Sequence, residues 1–223
     1  MALMARTDRN WYRARVWDDD IAARFEERLA RSRTTQRPKY LRIQATYLAE
    51  SSDARTRAVA FDLFRRAIHD YRTTEATAAA EQLGDSLARD GRLAEGADAL
   101  RTALSLIAES PIGRAGTTHL TELRLAEVLL ELGDVDEAAA QLDAAAPEVE
   151  LQKIYPDVHY RYLVAHARVE AARGRRATAA MWARAALAVA DDAVPHAPLE
   201  PALPRPAVTA TDRADLERLA ARG

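Results

Sequence analysis

The sequence predicts an all-α fold built as an array of like helix pairs, on three observations. First, Gly91, Gly133 and Gly174 recur 42 and 41 residues apart. Each is followed at +5, +9 and +12 by small or apolar residues: Gly96, Leu100 and Ala103; Ala138, Leu142 and Ala145; Ala179, Ala183 and Ala186. A fixed period of this kind marks stacked units rather than one closed globule. Second, alanine is abundant, and alanine loses no side-chain entropy in a helix. Third, strand formers are sparse, and no period-2 run extends beyond a few residues.

Taken in order, Trp11 to Trp17 form an aromatic, Arg-bearing lead-in, part of an N-terminal segment 1–17. Asp18 is placed to cap a first helix, with Asp19 and Asp20 in the first turn, where the positive helix end favours carboxylates. Ile21, Phe25 and Leu29 make its apolar face, to about Arg33. Pro38 suits the first turn of a second helix, to about Glu50, with Tyr40, Ile43 and Tyr47 inward. Asp53 opens a third, whose stripe is Ala60, Phe64, Ala67, Ile68 and Tyr71.

Thr74 and Glu75 open the fourth helix, which stops at Gly91, and the fifth runs to about Glu109. Pro111, Gly113 and Gly116 make a loop. The sixth helix is expected from about Thr118 to Leu132, where Gly133 can take the left-handed terminal conformation. Asp134 to Glu137 read as a capping box for the seventh, expected to end near Pro147. Pro156 opens the eighth, Gly174 ends it, and the ninth runs to about Asp192. Five prolines between 194 and 206 forbid a helical interior, so residues 194–208 form an extended linker or strap. A last helix within 209–223, from about Thr211, turns Leu216 and Leu219 inward and caps the array. The repeat domain thus covers 1–193.

Charge is unevenly laid out. The formal net charge of −2 is the balance of +6 over residues 1–72, −11 over 73–150 and +3 over 151–223. No apolar run approaches the roughly 20 residues that cross a bilayer, and the start lacks the apolar core of a secretory signal. There is no cysteine. This removes disulfides and thiolate metal sites and fits a reducing cytoplasm.

Residues that could carry chemistry are few. No phosphate-loop, dinucleotide or nucleophile-elbow motif occurs. His159 and His166 are seven apart, not the four that suits a helical metal pair, so they are read as packed or surface side chains. The loop at Gly113 and Gly116 leads into a helix N-terminus, which can hold an anion, but a plain connection explains it. Ten arginines from Arg6 to Arg42, with Trp11, Tyr12 and Trp17, invite a nucleic-acid reading. Interleaved carboxylates and a pI of about 6.2 weigh against it. No enzyme activity, cofactor or metal is expected.

At these residues the chain resembles the tetratricopeptide repeat (TPR) family. In that motif small residues sit where helices A and B of a pair cross. Ala76–Leu106 matches best: Leu83-Gly84 and Leu87 on helix A, Gly91 at the turn, and Gly96, Leu100 and Ala103 on helix B. Leu125-Ala126, Leu129, Gly133, Ala138, Leu142 and Ala145 repeat the set. Tyr47, Ala60, Phe64 and Ala67 form a weaker first unit. The last unit has Ala167, Gly174, Ala179 and Ala186, with His166 and Glu170 where apolar residues are usual. The match spans roughly Pro38 to Asp192, and its period exceeds the ~34 residues of the standard motif.

The resemblance implies a right-handed α-solenoid with an N-terminal helix and a C-terminal capping helix. It also implies a non-enzymatic adaptor or scaffold that binds a peptide or helix in a concave groove lined by A helices. By motif position the groove residues are Arg42, Glu81, Asp85, Arg89, Leu120, Leu123, Glu127, Leu130, Arg161, Val164 and Arg168. One TPR subgroup grips acidic C-termini with basic and amide side chains. Here Glu81, Asp85 and Glu127 hold those places, so like charge disfavours that ligand. A basic amphipathic segment is the expected protein partner. A self-associating structural or regulatory subunit is the alternative, and neither a membrane nor nucleic acid is an expected partner.

Overall fold

A computed structural model describes residues 10–71, 73–191 and 206–222. Among the described residues the chain is all-α, with ten α-helices, one short 3-10 turn at Thr34–Gln36 and no strand. It divides into two compact units, Met1–Thr118 and His119–Gly223. The division falls inside residues 1–193, the stretch that the sequence was expected to fold as one repeat domain.

The first unit holds α1 (Asp19–Arg31), α2 (Arg37–Ala49), α3 (Ala54–His69), α4 (Thr74–Arg89) and α5 (Leu93–Glu109). Helices α2 and α3 pack as a pair, as do α4 and α5; α3 lies on α4, and α2 also reaches α4. Asp18 caps α1, accepting from the Ile21 N–H at 2.8 Å. Asp53 caps α3, accepting from the Thr56 N–H at 2.9 Å and its hydroxyl at 2.7 Å.

The α4/α5 crossing is set by two glycines. A Cβ placed on Gly84 would lie 2.5 Å from Leu100 Cγ and 3.0 Å from the Gly96 carbonyl oxygen. One on Gly96 would lie 3.0 Å from the Gly84 carbonyl oxygen and 3.1 Å from the Ala88 nitrogen. Only hydrogens fit there, so the two backbones approach more closely than side chains permit. Gly91, with φ of 79°, turns the chain between the two helices.

The lead-in is anchored by a buried amide. Gln44 Oε1 accepts from the Ala14 N–H at 3.0 Å, and Gln44 Nε2 donates to the Ala14 carbonyl at 2.7 Å. Trp11 packs against Phe25 and Tyr40, and Trp17 against Phe25. This corrects the expected inward face of α2. Leu41, Ala45 and Leu48 point into the core, while Tyr40, Ile43 and Tyr47 are half-buried. The reason is that α2 is covered on two sides: Tyr40 stacks against the lead-in, and Arg15 lies over the Tyr47 ring.

The second unit holds α6 (Thr121–Leu132), α7 (Val135–Leu151), α8 (Pro156–Ala172), α9 (Arg176–Asp191) and α10 (Ala210–Ala220). Helices α6/α7 and α8/α9 form pairs, α7 packs on α8, and α6 reaches α8. Helix α10 packs on α9 and α8, with Leu216 buried among Tyr160, Leu163 and Ala186.

Two boundaries and one cap differ from expectation. Helix α6 starts at Thr121 rather than Thr118, because His119 takes a left-handed φ of 64° and Leu120 follows at the cap. Gly133 stops α6 in the left-handed region as expected, but the Asp134 side chain makes no capping hydrogen bond. The turn is closed by backbone instead, the Asp134 N–H donating to the Leu129 carbonyl. Helix α7 continues through Pro147 to Leu151. A proline removes its own N–H bond but leaves later residues free to bond. Here buried Val149 and the Glu148–His119 contact, at 3.4 Å, hold the last turn. Of the proline-rich segment, residues 194–205 lie outside the described residues. No helix among the described residues is long and apolar enough to cross a membrane.

Candidate functional site

The eleven groove positions fall in both units. In the first, Arg42 on α2 reaches α4, donating to Glu75 at 2.6 Å and Gln82 at 3.4 Å. Thr46, one turn on, also donates to Gln82. Arg89 is exposed and folds back on its own helix, onto the Asp85 carbonyl and the Ser86 hydroxyl. Asp85 is half-buried.

Glu81 is not an open groove side chain. It is 2% exposed, and both its carboxylate oxygens accept from Thr118, from the N–H at 2.9 Å and the hydroxyl at 2.8 Å. The loop that could have held an anion is thus clasped by the chain's own carboxylate.

In the second unit, Leu120 and Leu123 also turn inward, with Leu123 fully buried. The cause is the late start and apolar composition of α6, which is buried on nearly every side. Its half-buried strip is Arg124, Glu127 and Leu130, spaced by three. Five predicted positions nevertheless converge. Glu127 and Leu130 from α6 meet Arg161, Val164 and Arg168 from α8 around one recess of about 210 Å³. Asp212 of α10 completes its wall.

Ion pairs fix this wall. Arg161 binds Glu127 through two bonds, Nε to Oε1 at 2.8 Å and Nη2 to Oε2 at 2.5 Å. Burial works against the Arg161 charge, but the hydrogen bonds and charge of Glu127 outweigh it and hold the guanidinium above its ordinary value. Arg168 Nη2 donates to Asp212 Oδ1 at 2.9 Å, tying α8 to α10. With Asp157 the recess holds three carboxylates and two guanidiniums, a net charge of −1.

One group in the recess is left over. Tyr160 is 6% exposed, and its buried hydroxyl has no hydrogen-bond partner among the described residues. Burial first, and the nearby Asp212 charge second, push its pKa up, so it stays a neutral donor. An unmade bond of this kind costs about 1–3 kcal/mol. Sequence reasoning missed Tyr160, Asp157 and Asp212. The first two could be found from their spacing to Arg161 on α8; Asp212 enters only because α10 docks there.

His166 stacks on Trp182 at 4.6 Å and meets Tyr162 edge-on, while His159 is half-buried. Glu170 is buried beside Arg175, which donates to it through two nitrogens.

Comparison of the chain with family models, with curated proteins and with solved structures finds no match in any of the three.

Proposed function

We propose that this protein is a non-enzymatic interaction module, an adaptor or scaffold of TPR-like helix pairs, which takes a basic amphipathic segment on the α6/α8 face. The carrying observation is the convergence of Glu127, Leu130, Arg161, Val164 and Arg168 on one recess lined also by Tyr160, whose hydroxyl has no partner among the described residues. The net negative charge suits a Lys or Arg side chain, Leu130 and Val164 suit its apolar stem, and Tyr160 can donate to a carbonyl of the same segment. Supporting the repeat reading are the glycine crossing of α4 and α5 and the A-to-A bridges Arg42–Glu75 and Glu127–Arg161. The right-handed solenoid and the cytoplasmic compartment belong to this reading. Self-association is the second reading, favoured by the exposed side chains of Leu151, Ile154 and Tyr155 at the α7–α8 turn.

The test is titration of Arg-rich amphipathic peptides against wild type, Tyr160→Phe and Glu127→Lys. Tyr160→Phe should weaken binding about 2- to 10-fold. Glu127→Lys should weaken it further and flatten its dependence on salt. Equal affinity in all three proteins refutes the recess as the site.

A further inference from the structure

Helix α10 brings a carboxylate to the recess of the second unit, yet its seat lies beside that recess. Asp212, in the first turn of α10, lines the recess and accepts from Arg168 Nη2 at 2.9 Å. One turn on, Leu216 is 2% exposed and is packed in the core shared with α8 and α9. Further along the seat, Arg184 of α9 donates to the Ala220 carbonyl at 2.9 Å, and Arg213 donates to Asp191 at 2.6 Å. Leu216, Arg184 and Arg213 are not among the residues that line the recess.

The sign of the recess turns on that seat. With α10 in place, Glu127, Asp157 and Asp212 stand against Arg161 and Arg168, and the net charge is −1. With Asp212 withdrawn, the remaining carboxylates and guanidiniums cancel. Arg161 keeps its pair with Glu127, so the guanidinium that loses a carboxylate is that of Arg168. A Lys or Arg side chain entering the recess meets attraction in the first case and like charge in the second. Asp212 is placed only when the helix is formed. Its N–H donates to the Thr209 hydroxyl oxygen at 3.0 Å, and its Oδ2 accepts from the same hydroxyl at 2.7 Å, which is the cap of α10. Helix α10 has 11 residues. Isolated helices shorter than ~12–15 residues are marginal in water, so α10 holds its shape by docking.

On the proposed reading of the recess as the site of a basic segment, we infer that docking of α10 sets its charge preference, with Leu216 the positioning residue for Asp212. Docked, α10 makes the recess accept a basic segment; undocked, it leaves Arg168 to repel one. By linkage, a basic segment in the recess holds α10 on α8 and α9 by as much as α10 favours the segment.

The experiment titrates an Arg-rich amphipathic peptide into the full chain as wild type, Asp212→Asn, Leu216→Ala, Leu216→Met and Asp212→Asn/Leu216→Ala. Amide hydrogen exchange of α10 is followed with and without peptide. Asp212→Asn and Leu216→Ala should each weaken binding about 3- to 10-fold, and Leu216→Met should bind nearly as wild type does. In the Asp212→Asn background, Leu216→Ala should cost little more, since both act through one carboxylate. The α10 amides of the free wild type should exchange faster than those of α8, and should slow when peptide is bound. If Leu216→Ala loses its helical signal, Arg184→Ala, an exposed change at the same seat, takes its place with a smaller expected loss. Equal loss from the seat variant in both backgrounds, or α10 amides as slow as those of α8 in the free protein, overturns the inference and leaves the recess reading standing. A wild type that binds no peptide removes both.

Discussion

Glu81 shows what a single residue can hide. Its helical position gives the face it lies on, but not that a loop from 37 residues later returns to donate two hydrogen bonds to it. Periodicity reports faces; it does not report which loop covers them. Gln44 was hidden for the same reason, since its partner is backbone and leaves no trace in side-chain pattern. His166 was read only as a packed or surface side chain; it packs against Trp182 and Tyr162, and it carries a pH consequence. Burial pushes its pKa down, against the opposing charges of Asp143 and Glu170. The unfolded chain therefore binds the proton better than the native one. Stability is intact above the ordinary imidazole value of roughly 6.5 and falls as pH drops below it. The unfolding midpoint of wild type should fall more between neutral and mildly acidic pH than that of His166→Phe. Parallel curves would show that His166 is not responsible.

At the scale of elements, the glycine-marked turns were the most legible part, because a left-handed residue after a helix is a local requirement. Gly91, Gly133 and Gly174 all have positive φ. The expected stop at Pro147 failed because a proline breaks one bond rather than the rest of a helix that has its own anchors. The helix-pair crossing was read from small residues, and the Gly84/Gly96 geometry gives it a measurable cost. Gly84→Ala gains about 1 kcal/mol of helix propensity. It must also displace Leu100 at its branch carbon and crowd the Gly96 carbonyl, and overpacking costs about 1–3 kcal/mol. The net expectation is a loss, read as a lower denaturation midpoint at unchanged slope. A midpoint at or above wild type would mean that α5 can slide without cost.

For the whole molecule, composition and periodicity specified the all-α class, but the division at Thr118/His119 was not legible. It depends on which loop residues make contacts, and the repeat pattern runs across it. The recess in the second unit was half legible: its α6 and α8 positions follow from the repeat, while its α10 wall does not. Apolar exposure at the α7–α8 turn, with Leu151 at 76% and Ile154 at 59%, predicts weak self-association through that surface. Light scattering across a concentration series checks it: the apparent mass should rise in wild type and stay at the monomer value in Leu151→Ser/Ile154→Ser. A flat wild-type series refutes it. The grip of Gln44 on Ala14 has a different kind of consequence. It reads the backbone N–H and carbonyl of one residue and not a side chain, so it is indifferent to what residue 14 is, proline excepted for want of an N–H. Over evolutionary time the composition at position 14 can drift while the segment's register stays pinned. A chain can thus change what it displays along the lead-in without relearning how to fold.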